Sequence, residues 1–176
     1  MKSIFFLSLT LLLPIVAFAA EGIPATAAQL ASERLSANQA RDAAKRDDAA
    51  TAEQLLTALN RAPANTSWWH VETAQRLIQL AYDVPREGRS NVIPQIVARA
   101  LQHLSTANSL AGSAAQKASI QVLAGRIQER YLGDHVAALA SYRAAQVLAP
   151  DNPQASREAA RLGTMTAHAA TRASRQ

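Results

Sequence analysis

From Ala25 to Asn60 the chain runs without a single proline or glycine, and that absence constrains the fold more than any motif does. The stretch is made chiefly of Ala, Gln, Arg, Glu and Leu, residues that lose little side-chain freedom in a helix. It predicts an alanine-rich helical segment over residues 20–62. Leu55, Leu56 and Leu59 give it an apolar edge near its end, with Leu30 and Leu35 nearer its start. The centre, NQARDAAKRDDAA, has only alanine to bury, so it either packs closely or stands out as a solvated arm. Asp47 or Asp48 is placed there to cap a second helix.

Beyond this run, proline and glycine cut the chain into further helix-length pieces. After Pro63, Thr66 or Ser67 suits an N-cap, and Trp69, Thr73, Arg76, Leu77 and Leu80 recur at helical spacing until the Pro85 to Gly88 stop. Pro94 fits a helical first turn, where its missing N–H costs nothing. Ile93, Val97, Ala100, Leu101 and Leu104 form the next stripe. Gly112 separates that helix from one carrying Ile120, Leu123, Ile127 and Tyr131. No segment alternates with period two for long enough to make a strand, so the chain reads as all-α.

The first residues set the compartment. Met1 and Lys2 precede an apolar run, and Ala17-Phe18-Ala19 supplies the small residues that signal peptidase needs. The run is no longer than the roughly 17 residues at which membrane spanning begins, and Pro14 interrupts it. Residues 1–19 therefore predict a signal peptide cleaved after Ala19, and an exported protein of the bacterial periplasm. With no cysteine in the chain, neither a disulfide nor a lipid on a cleaved Cys is available. Stability has to come from packing. The formal net charge of +5 comes from scattered arginines, not one block. In an exported protein that favours a solvated basic surface, or contact with an anionic envelope surface, over nucleic acid.

One stretch is more ordered than the rest. Gly133 stands where a helix must stop, because glycine takes the left-handed conformation freely. Asp134 can then cap the next helix, which carries Ala138, Tyr142 and Ala145 at steps of four and three and ends at Pro150. Leu139 and Val136 widen its face. These residues resemble the second half of a tetratricopeptide repeat: Gly-Asp at the inter-helix turn, a small residue, an aromatic, an alanine and a closing proline, followed by Asp151-Asn152-Pro153. Ala124-Gly125 resembles the pair that opens the preceding helix, but lies one residue further from Gly133 than the family pattern has it, and Glu129 stands at the family's Tyr position. Upstream, the helices containing Trp68, Trp69 and Ala100-Leu101 resemble an expanded repeat, with Ala100 aligned on Ala145 and a period longer than the usual 34 or so.

The resemblance implies antiparallel helical hairpins in a short superhelical array over residues 63–163, led by the alanine-rich helix. It also implies protein or peptide binding on the concave surface. Residues 164–176 have no clear apolar face and predict a flexible basic tail. Arg76, Arg126 and Arg130 are candidates for meeting acidic groups of a partner. Trp68 and Trp69 are adjacent, about 100° apart around a helix, so one is expected in the core and the other on a binding rim.

Catalysis and cofactors find no support. His70, His103, His135 and His168 are far apart in sequence and show no ligand-pair spacing. There is no Gly-x-Ser-x-Gly elbow and no glycine-rich phosphate loop. The sequence therefore predicts a non-enzymatic binding protein without cofactor or metal. The alternatives are a structural envelope protein whose residues 20–60 mediate self-association or contact an anionic surface, and an all-α envelope hydrolase built on two facing carboxylates.

Overall fold

A computed structural model describes residues 27–84 and 92–173. The expected signal peptide, the Pro85 to Gly88 stop, the side chain of Leu30 and residues 174–176 lie outside the described residues. Everything regular that is described is helical: α1 (Ala27–Lys45), α2 (Ala49–Thr57), α3 (Ser67–Asp83), α4 (Val92–Leu110), α5 (Ala114–Ile127), α6 (His135–Leu148) and α7 (Pro153–Ala173). Each helix packs mainly on its neighbours in sequence. The chain thus forms three successive hairpins, α1–α2, α3–α4 and α5–α6, with α7 laid on α6. The antiparallel sense is clear at the second hairpin, where Ser67 Oγ at the start of α3 donates to the carbonyl of Ala107 near the end of α4 at 2.8 Å.

The alanine-rich segment is two helices, the second capped at Asp48, and it is packed, not solvated. Ala40, Ala43, Ala44, Ala49 and Ala52 are all buried, because side chains this small let α1 and α2 approach closely. Between them the backbone makes a Schellman turn: the Asp48 N–H donates to the carbonyl of Ala43 and the Asp47 N–H to that of Ala44, both about 3.0 Å. Asp47 takes the left-handed position, φ 62°, and Asp48 caps α2 by accepting from the Thr51 N–H. Gly133-Asp134 repeats the left-handed residue followed by an aspartate cap. Gly133 has φ 64°, and Asp134 accepts from the Ala137 N–H at 2.9 Å. Leu35, expected on the buried edge, is 60% exposed, since α1 turns its alanines inward instead.

The second helix of each hairpin buries the same pattern, a small residue followed four and three places later by two more core positions. These are Ala52 and Leu56, with the partly buried Leu59 just past the end of α2; Ala100, Leu104 and Ala107; and Ala138, Tyr142 and Ala145. On burial, then, Ala100 corresponds to Ala138 and not to Ala145. Val136 does not widen the buried face; it is 75% exposed, one turn ahead of the contact.

The run from Gly125 to Gly133 is not α-helical throughout. α5 ends in a π-turn, Gln128–Leu132, whose widened ring holds one residue more per turn. The N–H groups of both Gly133 and Asp134 close on the Gln128 carbonyl. Gly125 lies opposite Tyr142, so close that a Cβ on Gly125 would lie 2.8 Å from the ring. Tyr142 is wholly buried, and its hydroxyl donates to Glu129 at 3.3 Å. Burial, reinforced by the charges of Glu129 and Glu158, raises its phenol above the ordinary range. Tyr131 reaches the other way, its hydroxyl 3.5 Å from the Ile78 carbonyl on α3.

Two apolar clusters result, one spanning α1 to α5 and one joining α5, α6 and α7 through Ala118, Val122, Ala155, Ala159 and Leu162. α5 contributes to both and ties the array together. Residues 164–173, expected in a tail, continue α7 as helix to Ala173. Their chemistry suits this, because Ala, Thr, Met and Arg carry no break after Gly163.

Candidate functional site

α4 presents different faces to its two neighbours. Leu101, Leu104, Ser105 and Asn108 follow helical spacing toward α5, where they meet Ile120, Gln121, Ala124 and Gln128, with Ser141 of α6 behind. Together they line an open crevice of about 190 Å³. Its floor is apolar and its lining polar residues are uncharged amides and hydroxyls. Gln128, first residue of the π-turn, accepts from Ser141 Oγ at 2.8 Å. The Asn108 Oδ1 is buried without a hydrogen-bond partner among the described residues, and a buried acceptor left unpaired costs roughly 1–3 kcal/mol.

The opposite side of α4 carries a charged cluster. Glu53 of α2 accepts from His103 Nε2 at 2.9 Å through one carboxylate oxygen and from Arg99 through the other. His103 Nδ1 lies 2.8 Å from His70 Nδ1 on α3. The imidazole centroids are 5.1 Å apart, which is the nitrogen–nitrogen distance plus about a ring radius at each end. The two nitrogens and the two ring centres are therefore nearly in line. Lone pairs that point at one another suit a shared proton; two metal ligands would have to converge on a third point. Trp69 packs on His70 in a T-shaped contact, with centroids 5.0 Å apart and planes at 87°. Burial, and secondly the neighbouring His103, lower the His70 pKa. For Glu53 burial pushes upward, but the hydrogen bonds from His103 and Arg99 outweigh it and hold the carboxylate below its ordinary value.

Sequence spacing did not bring this trio together, because its members lie on three helices. The one available signal was helical position: Arg99 and His103 are four apart and share a face of α4.

The residues expected to bind a partner are dispersed. Trp69 is partly buried in the histidine cluster, whereas Trp68 is 52% exposed. Arg76 is turned inward: it donates to the Leu59 carbonyl and to Glu72, both at 2.9 Å, and so fastens α3 to the end of the first hairpin. Arg126 points toward Gln154 of α7, and Arg130 is exposed in the π-turn. Gly133, Asp134, Ala138, Tyr142 and Ala145 all hold the third hairpin in shape, and Pro150 follows it. Glu129 and Glu158 come together, but both bind Arg161, at 2.6 and 2.8 Å. A pair bridged by a guanidinium is poorly suited to acid–base work. No family model matches the chain, and no curated protein matches it.

Proposed function

We propose that this chain is an exported, non-enzymatic helical-repeat protein of the bacterial envelope that binds an extended peptide or protein segment in the crevice between α4 and α5. The observation that carries the reading is the unpaired Asn108 acceptor beside Gln121 and Gln128, above a floor of Leu101, Leu104 and Ile120. Carboxamides offer both donors and acceptors, which is what a peptide backbone requires, and an uncharged lining selects little by charge. The tetratricopeptide resemblance at Gly133-Asp134, Ala138, Tyr142 and Ala145 and the signal-like residues 1–19 support the same reading. The alternative of self-association through residues 20–60 loses its main surface, since the alanine face of α1 and α2 is already buried within the array.

The test is site-specific photocrosslinking in cells. A photoreactive residue at Gln121, inside the crevice, is expected to capture a defined peptide region of a partner. The same residue at Ser119, exposed on another face of α5, is not. Equal capture from both positions, or none from Gln121, sinks the reading.

A further inference from the structure

We propose that His70 and His103, with Glu53 holding His103 from α2, form a proton-operated latch within the second hairpin, between α3 and α4, closed while the pair shares one proton between its facing nitrogens and opened when a second added proton enters.

Glu53 is acceptor-only when ionised, so His103 must carry a proton on Nε2. Between the facing Nδ1 atoms, 2.8 Å apart and in line, there is room for one proton. In the neutral pair His70 donates that proton and His103 accepts it. A first added proton goes to His70 Nε2, at the end of the chain away from Glu53. Either ring then carries the charge while the contact stays intact. If the charge moves to His103, Glu53 faces it directly. A second added proton has no place without putting two N–H groups head to head, and the pair must separate. The groups facing the histidines are Glu53 from α2, Arg99 beside it on α4, and the Trp69 ring on α3. Arg99 is a fixed positive charge that further opposes double protonation. Separation parts α3 from α4 at this point, while His103 and Arg99 keep their hold on Glu53 of α2.

The direction with pH follows from linkage. The His70 pKa is lowered in the folded protein, so below its ordinary value of 6.5 the unfolded or opened form binds more protons and the latch weakens as pH falls. The Glu53 pKa is also lowered, so its contribution is present above about 4.5 and is lost as pH falls further. Acid therefore loosens α3 from α4 first, and α2 from α4 only at lower pH.

The experiment uses the full chain with ¹⁵N-labelled histidine, followed by NMR from neutral to mildly acidic pH, with amide hydrogen exchange measured in parallel. One proton is expected to enter the pair with the Nδ1 contact retained. Entry of the second should coincide with loss of protection in the first half of α3, exchange rising roughly five- to tenfold relative to α6 after correction for intrinsic exchange. His70→Gln offers His103 Nδ1 a donor or an acceptor as needed, and should abolish the pH dependence of α3 protection while leaving the neutral-pH value close to the original. Two independent, ordinary histidine titrations with unchanged α3 protection would overturn the proposal. So would a His70→Gln protein that loosens with acid as the parent does. If that variant does not fold, by circular dichroism, the coincidence of the second titration with α3 exchange in the unmodified chain decides.

Discussion

Three glycines in this chain should answer differently to the same change, and their comparison measures how closely α5 and α6 approach. Gly125 and Gly163 are both helical, so replacement by alanine gains each about 1 kcal/mol of helix propensity. At Gly163 a Cβ meets nothing within 4 Å, and Gly163→Ala should stabilise by about that amount. At Gly125 the Cβ would lie 2.8, 3.0 and 3.1 Å from three carbons of the Tyr142 ring. That ring is fully buried and tethered through its hydroxyl to Glu129, so it has no free end to swing aside. Overpacking of this kind costs about 1–3 kcal/mol. Since the propensity gain is common to both sites, Gly125→Ala should fall below Gly163→Ala by about 1–3 kcal/mol in urea denaturation followed by far-UV circular dichroism. Gly133→Ala meets no atom, but its φ of 64° costs an alanine roughly 1–2 kcal/mol. In a Tyr142→Leu background the deficit of Gly125→Ala relative to Gly163→Ala should shrink, a coupling that a double-mutant cycle isolates. Equal stability of Gly125→Ala and Gly163→Ala in the parent would show that the two helices do not meet as described.

Other consequences are sharper in pairs. Asp48→Ala and Asp134→Ala should each cost about 1 kcal/mol by removing an N-cap, while the corresponding Asn variants recover most of it; equal loss from Asn and Ala would refute the capping role. Glu129→Ala leaves the buried Tyr142 hydroxyl without its acceptor and should cost roughly 1–3 kcal/mol, but less when Tyr142 is already Phe. Glu129→Gln should let Tyr142 titrate at lower pH, because one of the charges that raises its phenol is gone; spectrophotometric titration checks this. Chemical denaturation at a series of pH values should show stability falling on acidification from the ordinary histidine range, with a further loss below about pH 4.5, and His70→Gln should remove the first of these steps.

Much of the architecture was legible because helix formation here is governed by local chemistry. Pro and Gly punctuation, three N-caps at Asp48, Thr66 and Asp134, and stripes such as Val97, Ala100 and Leu104 are each set within a turn or two of chain. Helical spacing alone does not choose among competing faces. Val136 and Leu35 had the apolarity of core residues, yet α6 and α1 pack through alanines and leave them in solvent. Arg76 looked available to a partner, and only the fold shows the Leu59 carbonyl waiting for it.

The sequence by itself determined an all-α chain, its main turn at Gly133-Asp134 and the small-residue contact around Ala138 and Ala145, since turns and close helix packing are encoded by residue size and by a few backbone conformations. Tertiary structure decided what lies across from what. It made the alanine run a hairpin of its own, ended α5 in a π-turn before Gly133, opened the crevice at Asn108 and joined Glu53, His103 and His70 from three helices. Those outcomes depend on the angles at which whole helices meet, and such angles are summed over many contacts and written in no single stretch of the chain.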